Sequence, residues 1–139
     1  MTGRAGHIAA IDHVSLPMRN TDAMVRFYRG MGFDVDEQKA VVCVHAGAQM
    51  INFHRPDLWR RKEFTLRAPA ATPPCGDLCF VWEGSPDDLA ELLRVNNVAT
   101  EEGPVERVGG RRETASSVYV RDPDDNLLEF MIYGGRGAA

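Results

Sequence analysis

The sequence predicts an α+β fold built from two copies of a βαβββ module. Short segments in both halves alternate apolar and polar residues, which is the pattern of strands with one buried face. A helix start follows the first such segment of each half at the same interval. Thr21 lies eight residues after His13, and Ser85 lies eight residues after Asp77. A chain of 139 residues is the size of one domain, so the two modules are expected to share a core.

The first module begins with a strand over residues 13–16 and a helix that starts at residues 20–22. The helix has an apolar stripe at offsets 0, 3, 4 and 7, formed by Met24, Phe27, Tyr28 and Met31. Gly30 and Gly32 are expected to end it. Three short strands should then follow, at 33–37, 41–45 and 50–54, with a turn at Gly47.

The second module repeats this order. After a strand over residues 77–82, the segment Ser85-Pro86-Asp87-Asp88 supplies an N-cap, a proline at the first helical position and two first-turn acids. Leu89, Leu92 and Leu93 form the apolar stripe of this helix, and Asn96-Asn97 can close it. Further strands are predicted near 98–101, 117–120 and 127–133, whereas residues 105–111 are ambiguous.

The two modules form a single domain over residues 8–133, with modules at about 8–55 and 76–133 and a linker at 56–75. Four prolines discourage regular structure in the linker. Arginine and lysine side chains accompany Trp59 and Phe64 there. The linker is either a solvated connector with an anchoring aromatic residue, or a lid or dimer arm that offers positive charge to an anionic ligand.

Composition excludes several classes of function. The net charge of -4 gives no basic surface for nucleic acid, and no apolar run is long enough to cross a membrane. The sequence contains no serine nucleophile elbow, Walker loop or dinucleotide fingerprint. Cys43, Cys75 and Cys79 are an odd number without a CxxC pair, so free thiols in a reducing cytoplasm are expected.

Each of four predicted strands carries a side chain that can bind a metal ion. These side chains are His13, His54, Asp77 and Glu129. The more apolar row of each strand should pack beneath a helix, which leaves these four side chains on the opposite, concave face. Imidazole and carboxylate groups grouped on such a face would be stabilised by a divalent cation. The sequence therefore predicts a metal site with ligands from both modules.

One ligand position is open to two interpretations. Aligning residues 50–53 with residues 127–130 puts Asn52 opposite Glu129. His54 lies two residues further along the same strand face, so either Asn52 or His54 could reach the metal. Ser117 and Tyr119 share a strand face and are candidates for orienting a substrate, as is Asn52 if it does not bind the metal. The segment 121–126 has the composition of a tight turn, so its acidic residues are interpreted as turn chemistry.

The segments that carry these features resemble a known superfamily. IDHVSLPMRNTDAMVRFYRGMGFDV resembles the opening, and SSVYVRDPDDNLLEF the final hairpin, of the vicinal oxygen chelate superfamily. This superfamily includes glyoxalase I, fosfomycin resistance proteins, extradiol dioxygenases and bleomycin resistance proteins. INFH, GDLCF and EGPVER more narrowly resemble the glyoxalase domain-containing protein 5 group. The resemblance covers about residues 8 to 133. It departs from the common pattern at Asp77, where many members have histidine, and at Asp125, where glycine is common.

The resemblance implies a U-shaped, partly open mixed-sheet barrel with helices outside. It places a divalent metal ion (Zn, Ni, Mn or Fe) on His13, His54 or Asn52, Asp77 and Glu129, by position. The implied activity is that of a metal-dependent lyase, isomerase or dioxygenase, which binds a small oxygen-rich substrate through two of its oxygens, with Glu129 as a possible general base.

Two alternatives to this activity remain. One is a metal-independent binding protein of the bleomycin resistance type, and the other is a scaffold that has lost its chemistry. The resemblance also implies a homodimer, with ligands from one chain or from both.

Overall fold

The computed structural model describes residues 5–134 as eleven elements. They are β1 (His13–Pro17), α1 (Thr21–Gly30), β2 (Asp34–Glu37), β3 (Val41–Ala46), β4 (Gln49–His54), α2 (Pro56–Trp59), β5 (Asp77–Val81), α3 (Pro86–Val95), β6 (Glu102–Val108), β7 (Thr114–Arg121) and β8 (Leu127–Tyr133). Apart from α2, which lies in the linker, the order is two successive βαβββ modules. The predicted α+β duplication is confirmed.

Each module forms its own four-stranded mixed sheet. The strand order is β1-β4-β3-β2 in the first sheet and β5-β8-β7-β6 in the second. The first strand of each module runs parallel to the last, and the remaining neighbours are antiparallel. Within residues 5–134 no hydrogen-bonded strand pair joins the two sheets, so one chain does not close a barrel.

The hydrophobic core lies between the sheets and the helices. The inward rows include Leu16, Ile51 and Phe53 in the first sheet and Leu78 and Phe130 in the second. Because side chains alternate along a strand, the polar rows occupy the other face of each sheet. This sorting of the strand faces agrees with the prediction and leaves the candidate ligands away from the core.

The two long helices begin in different ways. Ser85 and Asp88 form the predicted capping box of α3, in which Ser85 Oγ accepts a hydrogen bond from Asp88 N at 3.0 Å. The predicted cap of α1 at Thr21 is wrong, because Thr21 is the first helical residue and Asn20 is the cap. The Asn20 side chain does not cap the helix. The backbone N–H of Asn20 instead donates to Asp124 Oδ1 of the second module at 2.8 Å.

The turn between β7 and β8 joins the modules as well as the two strands. Asp122 and Asp124 are both at least 96% buried, with relative exposures of 4% and 3%. The Tyr28 hydroxyl of α1 donates to Asp122 Oδ2 at 2.6 Å. The interpretation of these acids as mostly turn chemistry holds for Asp122, which accepts from Asp124 N and Asn126 N. Both acids also bind residues about a hundred positions earlier in the chain, and local residue types give no sign of those partners. Asp125 has φ of 80°, the region that glycine adopts most easily.

The strand predicted near 98–101 was placed too early. These residues lie between α3 and β6, and the ambiguous segment supplies most of β6 (Glu102–Val108). The end of the helix explains the difference, because Val98 N donates to Leu93 O at 2.9 Å and Asn97 has φ of 58°. Val98 therefore closes α3 and is not free to pair with a strand.

The linker contains more regular structure than its prolines suggested. Pro56 lies in the first turn of α2. A backbone N–H at that position has no acceptor within the helix, so proline loses no hydrogen bond there. In the part of the chain that is described, no helix has the length and apolar character needed to cross a bilayer.

Candidate functional site

The two sheets present equivalent residues on their outward, open faces. In the first sheet His13 pairs with Met50 and Ser15 pairs with Asn52. In the second sheet Asp77 pairs with Leu127 and Cys79 pairs with Glu129. His13 therefore corresponds to Asp77, and Asn52 corresponds to Glu129. The duplication places one pair of possible metal donors on each open face.

His13 is oriented by its neighbour in sequence. Its Nδ1 lies 2.7 Å from Asp12 Oδ2, and the His13 side chain is 42% exposed. Because an ionised carboxylate only accepts hydrogen bonds, Nδ1 carries the proton of the neutral ring and Nε2 keeps a free lone pair. A carboxylate that fixes the tautomer of a ligand histidine is a recurrent feature of metal sites. Asp12 was not among the predicted site residues, although its position beside His13 was the available signal.

Glu129 lies at the centre of the second open face. Ser117 Oγ, which is 1% exposed, donates to Glu129 Oε2 at 2.6 Å and so fixes one carboxylate oxygen. Desolvation and then the negative charge of Glu129 raise the pKa of the Cys79 thiol to about 12. Cys79 is therefore a neutral thiol at physiological pH, which removes it as a nucleophile. Asp77 lies two residues before Cys79 on the same strand face.

Tyr119 also lies on the second open face, opposite Glu129 on the neighbouring strand. Its hydroxyl accepts a hydrogen bond from Arg107 Nε at 3.0 Å, and the Arg107 guanidinium lies 5.6 Å from the centre of the Tyr119 ring. Arg107 lies within residues 105–111, whose pattern does not distinguish strand from loop, so the sequence gives no signal for its role. A cavity of about 450 Å³ lies over this face and is lined by second-module residues, including Arg107 and Glu129.

Asn52 and His54 occupy different places on the first open face. Asn52 neighbours Ser15 and Cys43, whereas His54 pairs with Pro17 at the far end of β1 from His13. Met50, the partner of His13, is four residues from His54, a span of about 13 Å along a strand. His54 is 6% exposed and packs edge-on against Phe64. Burial, and then the charge of Arg67, lower the pKa of His54, so its ring is neutral at physiological pH.

No three histidine, cysteine, aspartate or glutamate side chains among residues 5–134 come close enough within one chain to hold a metal ion. His13 and Asn52 lie on the first sheet, and Asp77 and Glu129 lie on the second. The candidate donors of the two modules thus lie on separate sheets of the single chain, and hydrogen bonds orient His13 and Glu129 among them.

This arrangement of paired βαβββ modules with open polar faces defines a class of protein. The sequence profile of the Glyoxalase/Bleomycin resistance protein/Dioxygenase superfamily matches residues 10–130. The chain belongs to this superfamily.

Individual relatives support the same assignment. The chain is 35% identical to virulence protein STM3117 of Salmonella typhimurium over 91% of this chain and 85% of that protein. The crystal structure of that protein superposes with a TM-score of 0.80 over 92% of this chain and 99% of the other. Glyoxalase domain-containing protein RDO1 of Mycosarcoma maydis is 33% identical over 91% of this chain and 69% of its own length.

Proposed function

We propose that this protein is a divalent-metal-dependent enzyme of the glyoxalase or dioxygenase type that acts on a small oxygen-rich molecule. The observation that carries the proposal is the equivalence of the two open faces. His13 with Asn52 and Asp77 with Glu129 stand at matching positions of the two modules. Each module thus supplies two candidate ligands at equivalent positions, and a metal site with four protein ligands needs four such groups.

The side chains fit a divalent metal ion. His13 offers a free Nε2, while Asp77 and Glu129 offer carboxylate oxygens. The fourth donor is Asn52 or His54, and the register favours Asn52 because His54 lies at the opposite end of β1 from His13. One imidazole with mainly oxygen donors suits Mn²⁺, Fe²⁺, Ni²⁺ or Zn²⁺.

The residues around Glu129 support a role in proton transfer. A bound divalent cation would polarise two adjacent substrate oxygens and stabilise negative charge that develops on them. If Glu129 leaves the metal ion during turnover, it would take the substrate proton as general base, and the hydrogen bond from Ser117 holds one of its carboxylate oxygens. Tyr119, fixed by Arg107, would orient the substrate beside it. Together these residues favour isomerisation, elimination or oxygenation of a chelating substrate.

We further propose that the site is assembled between two copies of the chain. Separation of the donors in one chain supports this arrangement, since a homodimer can place the first open face of one copy against the second open face of the other. Exposed apolar side chains lie beside the strands that carry these faces, namely Ile11 (65%) two residues before β1, Val81 (50%) at the end of β5 and Val108 (70%) at the end of β6. Such side chains are typical of a surface that is covered in an assembly.

Metal analysis of protein purified without chelators tests this proposal. Wild-type protein should contain about one divalent ion per chain, and His13→Ala or Glu129→Gln should lose most of it, because a missing ligand weakens binding strongly. His45→Ala and Glu113→Gln are matched controls, since each removes the same kind of side chain outside the proposed ligand set. Metal-free wild-type protein that remains folded, and gains no metal on addition, would contradict the proposal.

That contradictory outcome would favour the second candidate, a metal-independent small-molecule binding protein of the bleomycin resistance type. The lack of a three-donor cluster within residues 5–134 of one chain is the observation that supports this rival. A binding protein of this kind would use the cavity lined by Arg107 and Glu129 without metal ligation.

Two narrower assignments remain predictions. INFH, GDLCF and EGPVER suggest the glyoxalase domain-containing protein 5 group within the superfamily. The three free cysteines suggest a reducing compartment, and we place the protein in the cytoplasm on that basis.

A further inference from the structure

The linker forms a positively charged pocket that the proposed metal chemistry does not use. This arginine pocket is a cavity of about 350 Å³, and its lining includes Trp59, Arg60, Arg61, Lys62, Phe64 and Arg67. Four of these six side chains are cationic, and its described lining contains no aspartate or glutamate. The chain as a whole has a net charge of -4, so the pocket is a local concentration of positive charge.

The cations of the pocket are not neutralised by neighbouring acids. Within residues 5–134, the arginines that form ion pairs are Arg29, Arg55, Arg94, Arg107 and Arg121. None of the four pocket cations is among them. Four unpaired positive charges around one cavity repel each other, and that repulsion would be relieved by a bound anion.

Trp59 gives the pocket a fixed wall. Its indole Nε1 donates to the backbone carbonyl of the fully buried Met18 at 2.8 Å. The guanidinium carbons of Arg60 and Arg67 lie 5.1 and 5.8 Å from the ring centre. Cation–π contact with a ring that is itself anchored holds both guanidinium groups in place before any ligand arrives.

Arg67 also has an unused hydrogen-bond donor. Its two terminal nitrogens donate to the backbone carbonyls of Pro69 and Ala71. Its Nε is buried and has no partner among the described residues. Buried N–H groups normally find an acceptor, so the hydrogen bonding of this guanidinium group is incomplete among the described residues.

We propose that the arginine pocket binds a small molecule through a carboxylate or phosphate group. Guanidinium groups bind the two or three oxygens of such groups with more than one hydrogen bond, while Lys62 adds charge without fixing geometry. The pocket adjoins the first open face, because Phe64 packs against His54 with ring centres 5.2 Å apart. The assignment does not depend on metal binding at the open faces.

A fluorescence and NMR titration tests the assignment. The chain has two tryptophans, so Trp82→Phe leaves Trp59 as the single reporter. Inorganic phosphate and succinate are titrated separately at constant ionic strength, with sodium chloride as the reference. We expect a saturable change in Trp59 emission and in its indole N–H resonance with at least one of the two anions, and none with chloride. The stronger response identifies phosphate or carboxylate as the preferred group.

Substitutions connect this response to the pocket. The double variant Arg60→Gln/Lys62→Gln should raise the dissociation constant about tenfold or more, because charge-assisted hydrogen bonds are lost. Both side chains are exposed, so the fold should be retained, which circular dichroism checks. Arg26→Gln is the matched control, since it removes an exposed arginine on α1, outside the pocket lining. The absence of a saturable response to both anions, or equal affinity in the double variant and the control, would overturn the assignment.

Discussion

At the scale of single residues, the candidate site depends on two hydrogen bonds that fix donor groups. Asp12 holds the His13 ring through Nδ1, and Ser117 holds Glu129 through Oε2. In both contacts a candidate metal ligand on an open face is hydrogen-bonded to a side chain that is not itself a candidate ligand. The sequence predicted the donors from strand alternation. It could not predict their orientation, because a hydrogen-bond partner depends on side-chain rotamers as well as on strand periodicity.

Removal of the Asp12 carboxylate tests its role in orienting His13. We predict that Asp12→Ala lowers the affinity for the divalent metal about 10- to 100-fold, as is typical when the second partner of a ligand histidine is lost. The same number of ions should still bind at saturation, because no direct ligand is removed. Competition with a chromogenic chelator measures the affinity. Asp34→Ala, which removes an exposed carboxylate of β2, serves as the control, and an effect equal to that of Asp12→Ala would contradict the prediction.

At the scale of secondary-structure elements, the two modules are joined by the turn between β7 and β8. Asp122 accepts from Tyr28 of α1, and Asp124 accepts from the backbone of Arg19 and Asn20. Asp124 thus binds the residues just before α1, and Asp122 binds the side chain of a residue within α1. The position of the first open face relative to the second therefore depends on residues of a turn that makes no direct contribution to either face.

The contact between Tyr28 and Asp122 has a predictable dependence on pH. Burial raises the pKa of Asp122, while the hydrogen bonds from Tyr28 and Asn126 oppose that rise. A carboxyl group whose pKa is raised by folding stabilises the folded state when it is protonated. This contribution is fully present below the ordinary pKa of 3.8 and is lost as the pH increases through the higher pKa of the folded protein. The Tyr28 hydroxyl offsets this loss, because it stabilises the ionised carboxylate.

We therefore predict that Tyr28→Phe lowers the free energy of unfolding by about 1–3 kcal/mol at pH 7. The loss should be smaller near pH 4, where a larger fraction of Asp122 is protonated and the hydrogen bond no longer meets a full charge. Urea denaturation at both pH values measures the difference. Tyr133→Phe is a control that removes a hydroxyl away from the module contact, where it accepts from Arg111 N. A loss for Tyr28→Phe that is equal at pH 7 and pH 4 would show that the charge of Asp122 is not involved.

Prediction from sequence was most successful for the elements themselves. The capping box of α3, the apolar stripes and the strand alternation are local signals, and they correctly gave two βαβββ modules. The two errors have different causes. Asp124 of the second module binds the backbone of Asn20, the cap of α1, and nearby residues give no sign of that contact. The late start of β6 is local, because Asn97 has φ of 58° and Val98 N donates to Leu93 O, so the end of α3 extends through Val98.

At the scale of the whole molecule, two open faces belong to separate sheets of one chain. The residues chosen as metal donors from the sequence lie on those faces, although a single chain does not bring three of them together within residues 5–134. Sequence periodicity can assign a residue to a face. It does not determine which face of which copy lies opposite, since that depends on packing between chains. A second copy of the chain is needed to complete each proposed metal site.

Measurement of metal in a defined heterodimer tests this requirement most directly. His13→Ala and Glu129→Gln chains with different affinity tags are co-expressed, and the heterodimer is isolated. Suppose that each site joins the first open face of one chain to the second open face of the other. One site of the heterodimer then keeps both His13 and Glu129, and the other site has lost both. We predict that the heterodimer holds about half the metal of the wild-type dimer, while each variant homodimer holds almost none. A heterodimer that holds as little metal as the two homodimers would contradict a site shared between chains.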